Sequence, residues 1–113
     1  MLPFLNRLPS QRVRQLFQSG RRISGEWYQL IFQKTTGMPR FGFLVSIKID
    51  KRATVRNRIR RLLRESVHHL LPELLPYDGI IVARKNIADR TQAEVEQNLR
   101  EMFHRVGLLR TDS

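Results

Sequence analysis

The chain has 113 residues, no cysteine and a formal net charge of +11. This length suits one domain with a hydrophobic core, and an apolar fraction of 41% argues against general disorder. The absence of cysteine excludes a disulfide framework and a cysteine-ligated zinc site. No apolar run is long enough to predict a membrane span, and the N-terminus lacks the layout of a signal peptide. We therefore expect a cytoplasmic protein with no membrane partner.

The positive charge is biased in type and in position. Arginine outnumbers lysine by seventeen to four, and residues 48–64 hold eight cationic side chains against one acid, Asp50. Guanidinium groups make forked contacts with phosphate and stack on bases. A clustered, arginine-rich surface indicates a polyanionic partner, for which RNA is the leading candidate.

The N-terminal half predicts a helix followed by strands. Ser10 is a candidate N-cap for a helix over residues 11–18, which Gly20 ends. Residues 27–34 alternate in polarity and predict a strand, and an extra short strand is expected near residues 21–25.

A turn at residues 35–39 separates that strand from another at residues 40–48. The expected inward side chains of this later strand are Phe41, Phe43, Val45 and Ile47. The short turn favours an antiparallel hairpin between the two strands.

The C-terminal half predicts a helix over residues 53–71, a buried strand over 78–84 and a helix over 91–106 that Gly107 ends. The order helix, strand, strand, helix, strand, helix predicts a single α+β domain over residues 1–113, whose one sheet is covered by helices. Residues 1–8 and 108–113 are expected to fray.

The helix over residues 53–71 combines a core face with a cationic face. Val55, Ile59, Leu62, Ser66 and Leu70 recur at helical spacing and predict the buried stripe. Arg56, Arg60 and Arg64 share a ridge, and like charges at these spacings repel one another, so a function must offset that cost. The expected RNA-binding residues on and before this helix are Lys48, Lys51, Arg52, Arg56, Asn57, Arg58, Arg60, Arg61 and Arg64.

Other interpretations of the cationic face remain open. It could be a solvated face that prevents aggregation, a membrane-surface helix, or a helix that enters the major groove of DNA. A ribosomal or general RNA-binding protein could use the same scaffold. His68, His69 and His104 lack a partnering acid cluster with metal-ligand spacing, so we predict neither a catalytic nor a metal-binding residue in the protein.

Residues 53–65 closely resemble the signature helix of the bacterial ribonuclease P protein subunit, with its Arg-Asn-Arg core and the paired basic residues that follow. The resemblance extends over residues 6–109 in order. Its further blocks are Asn6-Arg7-Leu8, Phe17-Gln18-Ser19-Gly20, Gly42-Phe43-Leu44-Val45-Ser46 and Tyr77-Asp78-Gly79-Ile80-Ile81-Val82-Ala83-Arg84.

The resemblance implies the protein subunit of a ribonucleoprotein endonuclease that removes the 5′ leader from precursor tRNA. In this family the RNA subunit is the catalyst, and it binds most of the required Mg²⁺. The implied partners are ribonuclease P RNA and precursor tRNA, with no obligate protein partner. The resemblance also implies a left-handed βαβ crossover through the arginine-rich helix, against the general right-handed rule.

The family resemblance further implies a cleft for the single-stranded leader between the first helix and the sheet. Phe17 matches an aromatic position of this cleft, whereas Val13 and Ile31 stand where the family often has aromatic residues. Single-stranded RNA binds well to aromatic platforms. For Phe17, ordinary core packing is the alternative role.

Overall fold

The structure is a computed structural model that describes residues 7–110. Within that range the chain forms three α-helices and four strands, with one 3₁₀ turn at Leu71–Glu73. The elements are α1 (Ser10–Ser19), β1 (Arg21–Ser24), β2 (Tyr28–Lys34), β3 (Arg40–Leu44), α2 (Ala53–Leu70), β4 (Tyr77–Ala83) and α3 (Gln92–Arg105).

The four strands form one mixed sheet in the order β1-β2-β4-β3. β4 pairs antiparallel with β2 and parallel with β3, so Ile81 lies opposite Leu30 on one side and Phe43 on the other. The predicted β2–β3 hairpin is therefore wrong. β4 separates the two strands because it is apolar on both faces, with Ile80 and Ile81 fully buried, and such a strand belongs at the centre of a sheet.

Helices cover both faces of the sheet, as predicted. The main core lies on the face covered by α2 and α3, where Tyr28, Leu30 and Phe32 of β2 point. On the opposite face α1 packs Leu16 against Ile31 and Ile80, and all three are fully buried. The parallel β3–α2–β4 connection agrees with the expected crossover, and its left hand remains a prediction.

The capping residues predicted for the helices agree only in part with the observed helix ends. Ser10 is the first residue of α1 rather than its N-cap; that position belongs to Pro9, whose carbonyl accepts from the N–H groups of Arg12 and Val13. Gly20 ends α1 as predicted, and a Cβ there would lie 2.7 Å from the Leu16 carbonyl oxygen. Thr91 caps α3 in a capping box with Glu94.

The described parts of both ends that were expected to fray make contacts with the rest of the fold. Arg7 bridges to Phe41, and the Leu8 N–H donates to the Phe41 carbonyl at 3.2 Å. Leu108 and Leu109 are buried, because the chain after α3 turns back over the core and bridges to Leu74. The rest of the expected frayed segments, residues 1–6 and 111–113, lies outside the described residues.

The strand predicted over residues 40–48 is shorter than expected, since β3 ends at Leu44. Val45 is still buried, but Ile47 is 66% exposed in the loop that leads to α2. This loop lies at the end of the sheet where β1, β3 and β4 finish and β2 begins, and it brings the chain to the first turn of α2.

Candidate nucleic-acid interface

The buried stripe of α2 decides which of its residues face outward. Ile59, Leu62, Ser66 and Leu70 are buried as predicted, together with Leu63 and Val67, whereas the predicted Val55 is half-buried against the core. Ser66 is accommodated there because its hydroxyl donates to the Leu62 carbonyl at 2.8 Å and accepts from Gln92 of α3 at 2.6 Å. Asn57 and Arg61 are exposed, and Arg60 and Arg64 are half-buried beside them. Asn57, Arg60, Arg61 and Arg64 therefore share the side of the helix that faces away from the core, with half-buried Arg56 and exposed Arg58 at its two edges.

The first turn of α2 is organised by Asp50. The Asp50 carboxylate accepts from the Arg52 backbone N–H at 2.8 Å and from Arg52 Nε and Nη2 at 3.1 and 3.0 Å. It also accepts from the Asn86 amide at 3.0 Å. The hydrogen bonds from Arg52 lower the pKa of Asp50 to about 2, so the carboxylate is ionised at neutral pH.

Three further arginines of α2 are held by oxygen acceptors of the protein. Arg56 Nη1 donates to the carbonyls of Asp50 and Lys51 at 3.0 and 2.9 Å. Arg58 Nε donates to the Ala88 carbonyl at 2.6 Å, and Arg60 donates to the Asn57 side chain. These contacts leave several guanidinium N–H groups of each side chain for an external anion, because a guanidinium has five.

The other predicted cationic side chains lack hydrogen-bond partners within the described protein. The side chains of Lys48, Lys51, Arg61 and Arg64 make no hydrogen bond or ion pair with another residue between 7 and 110. Lys48, Lys51 and Arg61 are exposed. The interface therefore combines side chains of fixed orientation with side chains that adapt to a ligand.

The loop between β4 and α3 extends the basic surface beyond the residues predicted from the sequence. Arg84 and Lys85 are exposed directly after β4, and the Arg90 guanidinium lies 5.2 Å from the centre of the Trp27 ring. Arg58 and Asn86 connect this loop to α2 and to Asp50. The sequence signal for this loop is the Arg84-Lys85 pair that follows the buried strand. The end of a strand and the start of an arginine-rich helix can meet at one edge of a sheet.

The candidate leader cleft lies on the opposite face of the sheet, beside α1. Val13 is half-buried and Phe17 is 38% exposed, with the Arg22 guanidinium 5.8 Å from the centre of its ring. Arg22 also donates to the Phe17 carbonyl. Ile31 is fully buried beneath Leu16, so its side chain lies under the helix rather than on the cleft surface. The structure brings Val13 and Phe17 to the surface and leaves Ile31 as part of the support below.

The histidines do not form a site with one another. His69 Nδ1 lies 2.7 Å from Glu96 Oε1 between α2 and α3, and His104 is exposed on α3. Among residues 7–110 no group of three or more His, Cys, Asp and Glu side chains is arranged to hold a metal ion. Over the same part of the chain, no helix combines the length and the apolar character needed to cross a bilayer.

The sequence is similar to those of known proteins. The chain is 40% identical over 94 residues to the ribonuclease P protein component of Xanthomonas axonopodis pv. citri, an alignment that covers 83% of this chain and 65% of that protein. It is 38% identical over 93 residues to the corresponding protein of Xylella fastidiosa, covering 82% of this chain and 69% of the relative. The chain thus spans slightly less than two thirds of the Xanthomonas protein.

Solved structures show the same fold. The RNase P protein from Staphylococcus aureus superposes with a TM-score of 0.81 at 20% identity, covering 93% of this chain and 98% of that one. The RNase P protein from Thermotoga maritima gives a TM-score of 0.76 at 24% identity, covering 88% and 96%. The sequence model of the family described as Ribonuclease P matches residues 6–107. Since this match takes in nearly all of the fold described above, the chain belongs to the ribonuclease P protein family.

Proposed function

We propose that this chain is the protein subunit of ribonuclease P, which binds the ribonuclease P RNA and the 5′ leader of precursor tRNA. In this role it assists the endonucleolytic removal of the leader that gives the mature tRNA 5′ end. The observation that carries the proposal is the cationic face of α2, whose arginines point away from the core and are partly oriented by the protein itself.

The chemistry of this face suits a folded RNA. Arginine binds phosphate through two parallel N–H groups, and Asn57 adds an amide that can both donate and accept at a 2′-hydroxyl or a base edge. The side chains without a described partner, Lys51, Arg61 and Arg64 among them, provide charge that replaces counterions around the RNA.

The cleft beside α1 suits a single strand. Phe17 exposes part of its ring beside Arg22, so a base can stack on an aromatic surface framed by positive charge. Val13 offers a smaller apolar contact one helical turn away. We assign the leader of precursor tRNA to this surface and the RNA subunit to the face of α2.

Hydrolysis is assigned to the RNA subunit. The described residues contain no acidic or histidine cluster suited to Mg²⁺, so the residues present do not fit a protein-bound catalytic metal. From the resemblance to the family, we propose that the ions bind chiefly to the RNA. The protein contributes binding and charge neutralisation, which lowers the Mg²⁺ concentration that the RNA requires.

A binding competition tests this function. Labelled ribonuclease P RNA is bound to the purified protein at moderate salt and challenged with ribosomal RNA fragments and with duplex DNA of equal nucleotide concentration. The proposal expects that neither competitor displaces the labelled RNA at concentrations where unlabelled ribonuclease P RNA does. Equal displacement by ribosomal RNA would point to a general RNA-binding protein, and equal displacement by duplex DNA would point to a DNA-binding module.

A further inference from the structure

Asp50 is the one acidic residue within the cationic stretch 48–64, and it lies at the centre of a network rather than at its margin. Its side chain is only 12% exposed, whereas the Arg52 side chain that covers it is 72% exposed. The carboxylate is therefore largely shielded from the solvent, whereas most of the Arg52 side chain faces it.

The pairing with Arg52 leaves a defined part of this guanidinium available. Asp50 engages Nε–H and one N–H of Nη2, so both N–H groups of Nη1 and the second N–H of Nη2 remain. The second N–H of Nη2 and one N–H of Nη1 point in parallel from the end of the guanidinium, and the other Nη1 N–H points back along the side chain. Two parallel N–H groups on one edge match the geometry of a phosphate.

The same residue also fixes neighbouring parts of the surface. The Asp50 carbonyl accepts from Arg56, so the main chain of this residue orients a second arginine. The Asn86 amide donates to Asp50 Oδ2, and the Asn86 side-chain carbonyl accepts from the Ala88 N–H at 3.1 Å. Since the Ala88 carbonyl accepts from Arg58, the network joins the first turn of α2 to the loop that carries Arg84 and Lys85.

We propose that Asp50 is a positioning residue for RNA binding, a half-buried carboxylate that orders Arg52 and joins two basic segments, and so strengthens binding although its own charge repels RNA. This inference deepens the proposed function and depends on it.

Two physical effects of Asp50 oppose each other. Its negative charge weakens attraction to phosphates, but this charge is compensated by Arg52 and screened over about 8 Å at physiological salt. Against this, a free arginine side chain loses much rotamer freedom when it binds, and a side chain that is already ordered loses less. We expect the ordering effect to be larger because Asp50 makes four hydrogen bonds to two different segments.

The test compares two substitutions that change net charge equally. Asp50→Asn removes the carboxylate from the network, and Asp89→Asn removes an acid from the adjacent loop whose side chain is 84% exposed and lies 4.0 Å from Arg90. The affinity of each variant for ribonuclease P RNA is measured by filter binding over a range of salt concentrations. A purely electrostatic role predicts that both variants bind more tightly than the wild type.

The positioning role predicts a split between the variants. D89N binds as tightly as the wild type or up to about twofold more tightly, while D50N binds about fivefold more weakly. D50N binding as tightly as D89N overturns the inference. If the wild type itself has no preference for ribonuclease P RNA, the proposed function fails and the inference fails with it. This result is distinguishable from equal affinities of D50N and D89N, which overturn the inference alone.

A double-mutant cycle separates positioning from a general structural effect. In an Arg52→Gln background, Asp50→Asn is expected to change the affinity by less than about twofold, because the group that Asp50 orders is gone. An undiminished loss in that background overturns the proposed action through Arg52. The Arg52 Nε–H resonance gives a direct readout, since it is expected to lose its shift and exchange protection in D50N while the backbone amide spectrum is retained.

A second substitution guards against a folding defect in D50N. Asp50→Ser keeps a short oxygen acceptor for the Arg52 backbone N–H but cannot bind the guanidinium. Its thermal unfolding is expected to match that of the wild type, with weakened RNA binding as in D50N. Wild-type affinity in a folded D50S overturns the inference.

Discussion

Arg40 of β3 and Asp78 of β4 lie opposite each other across the parallel pair, and the guanidinium donates to the carboxylate from Nε at 2.9 Å and from Nη2 at 2.8 Å. Arg12 of α1 donates to the same carboxylate from Nε at 2.6 Å. The Asp78 side chain is fully buried, while both arginines keep some exposure. One carboxylate therefore fixes β3 and α1 to the central strand, and it sets the position of the helix beside the candidate leader cleft.

We expect Asp78→Asn to lower the free energy of unfolding by about 2 kcal/mol, because two partly buried arginines lose their charged partner. Urea denaturation at pH 7 measures the loss. Arg105→Gln on α3, an exposed arginine whose side chain makes no hydrogen bond or ion pair with another residue from 7 to 110, serves as the control and is expected to change stability by less than about 0.5 kcal/mol. A D78N protein as stable as this control would contradict the role of Asp78.

The stability that Asp78 contributes should depend on pH. Burial raises the pKa of this carboxyl, but the hydrogen bonds from Arg40 and Arg12 lower it by more, so its pKa in the folded protein lies below 3.8. A depressed folded pKa gives stability that is present above the pKa of the unfolded chain and is lost as the pH falls through the folded value. The stability difference between wild type and D78N is therefore expected to be constant from pH 7 to about pH 5 and to shrink below about pH 4. A difference that grows on acidification would reverse the assigned sign.

Gly79→Ala is expected to destabilise the protein by about 1–3 kcal/mol through overpacking. A Cβ at Gly79 would lie 2.5 Å from Phe41 Cε2, and Phe41 is itself buried against Phe103. Gly42→Ala on the neighbouring strand is the matched control, because its Cβ would lie 3.7 Å from Leu8, an ordinary contact. Thermal unfolding should show a lower midpoint for G79A and an unchanged or slightly higher one for G42A. Equal midpoints would contradict the packing described here.

Phe17→Ala is expected to weaken the binding of precursor tRNA to the reconstituted ribonucleoprotein about tenfold, since one stacked base contributes about 1–3 kcal/mol. Mature tRNA lacks the leader, so its binding should change by less than about twofold. Phe17 is 38% exposed, and the fold should tolerate the change. If both tRNAs lose affinity equally, Phe17 supports the fold or the RNA subunit rather than the leader.

Substitutions on the two sides of α2 should have opposite consequences. Ile59 is fully buried, so Ile59→Asp is expected to unfold the domain, at a cost of more than about 4 kcal/mol. The double reversal Arg60→Glu with Arg64→Glu should leave the circular dichroism spectrum unchanged, weaken RNA binding and reduce the salt slope by about 1 for each phosphate that the variant no longer neutralises. Unfolding of both variants would show that the faces of α2 are assigned wrongly.

The elements of the fold were predictable because each has a strong local signal, such as the alternation around Leu30 or the helical spacing of Ile59 and Leu62. Strand pairing was not, since the turn before β3 resembles a hairpin turn and carries no information about β4. The role of Asp78 could not be predicted either, because its partners Arg12 and Arg40 belong to segments that are distant in the sequence. The two buried faces of β4, Ile80 and Ile81, were the available sign that it lies at the centre.

In the candidate interface, too, features with a local sequence signal were predictable and tertiary contacts were not. Arg61 and Arg64 could be placed on the outer face from helical periodicity alone. The contact of Arg58 could not, because its acceptor Ala88 lies in the loop between β4 and α3, and those of Arg52 and Arg56 depend on the conformation of the loop before α2. Ile31 was placed at the cleft by resemblance, but the packing of α1 over it, through Leu16, is a tertiary contact that no local pattern encodes.

The most direct test of the central claim is a leader-cleavage assay at low Mg²⁺ with purified ribonuclease P RNA and precursor tRNA. The rate is measured with the RNA alone, with the wild-type protein and with the Arg60→Glu, Arg64→Glu variant. We predict that the wild-type protein increases the cleavage rate at a Mg²⁺ concentration where the RNA alone is nearly inactive, and that the folded variant does not. A wild-type protein that leaves the rate unchanged would contradict the account.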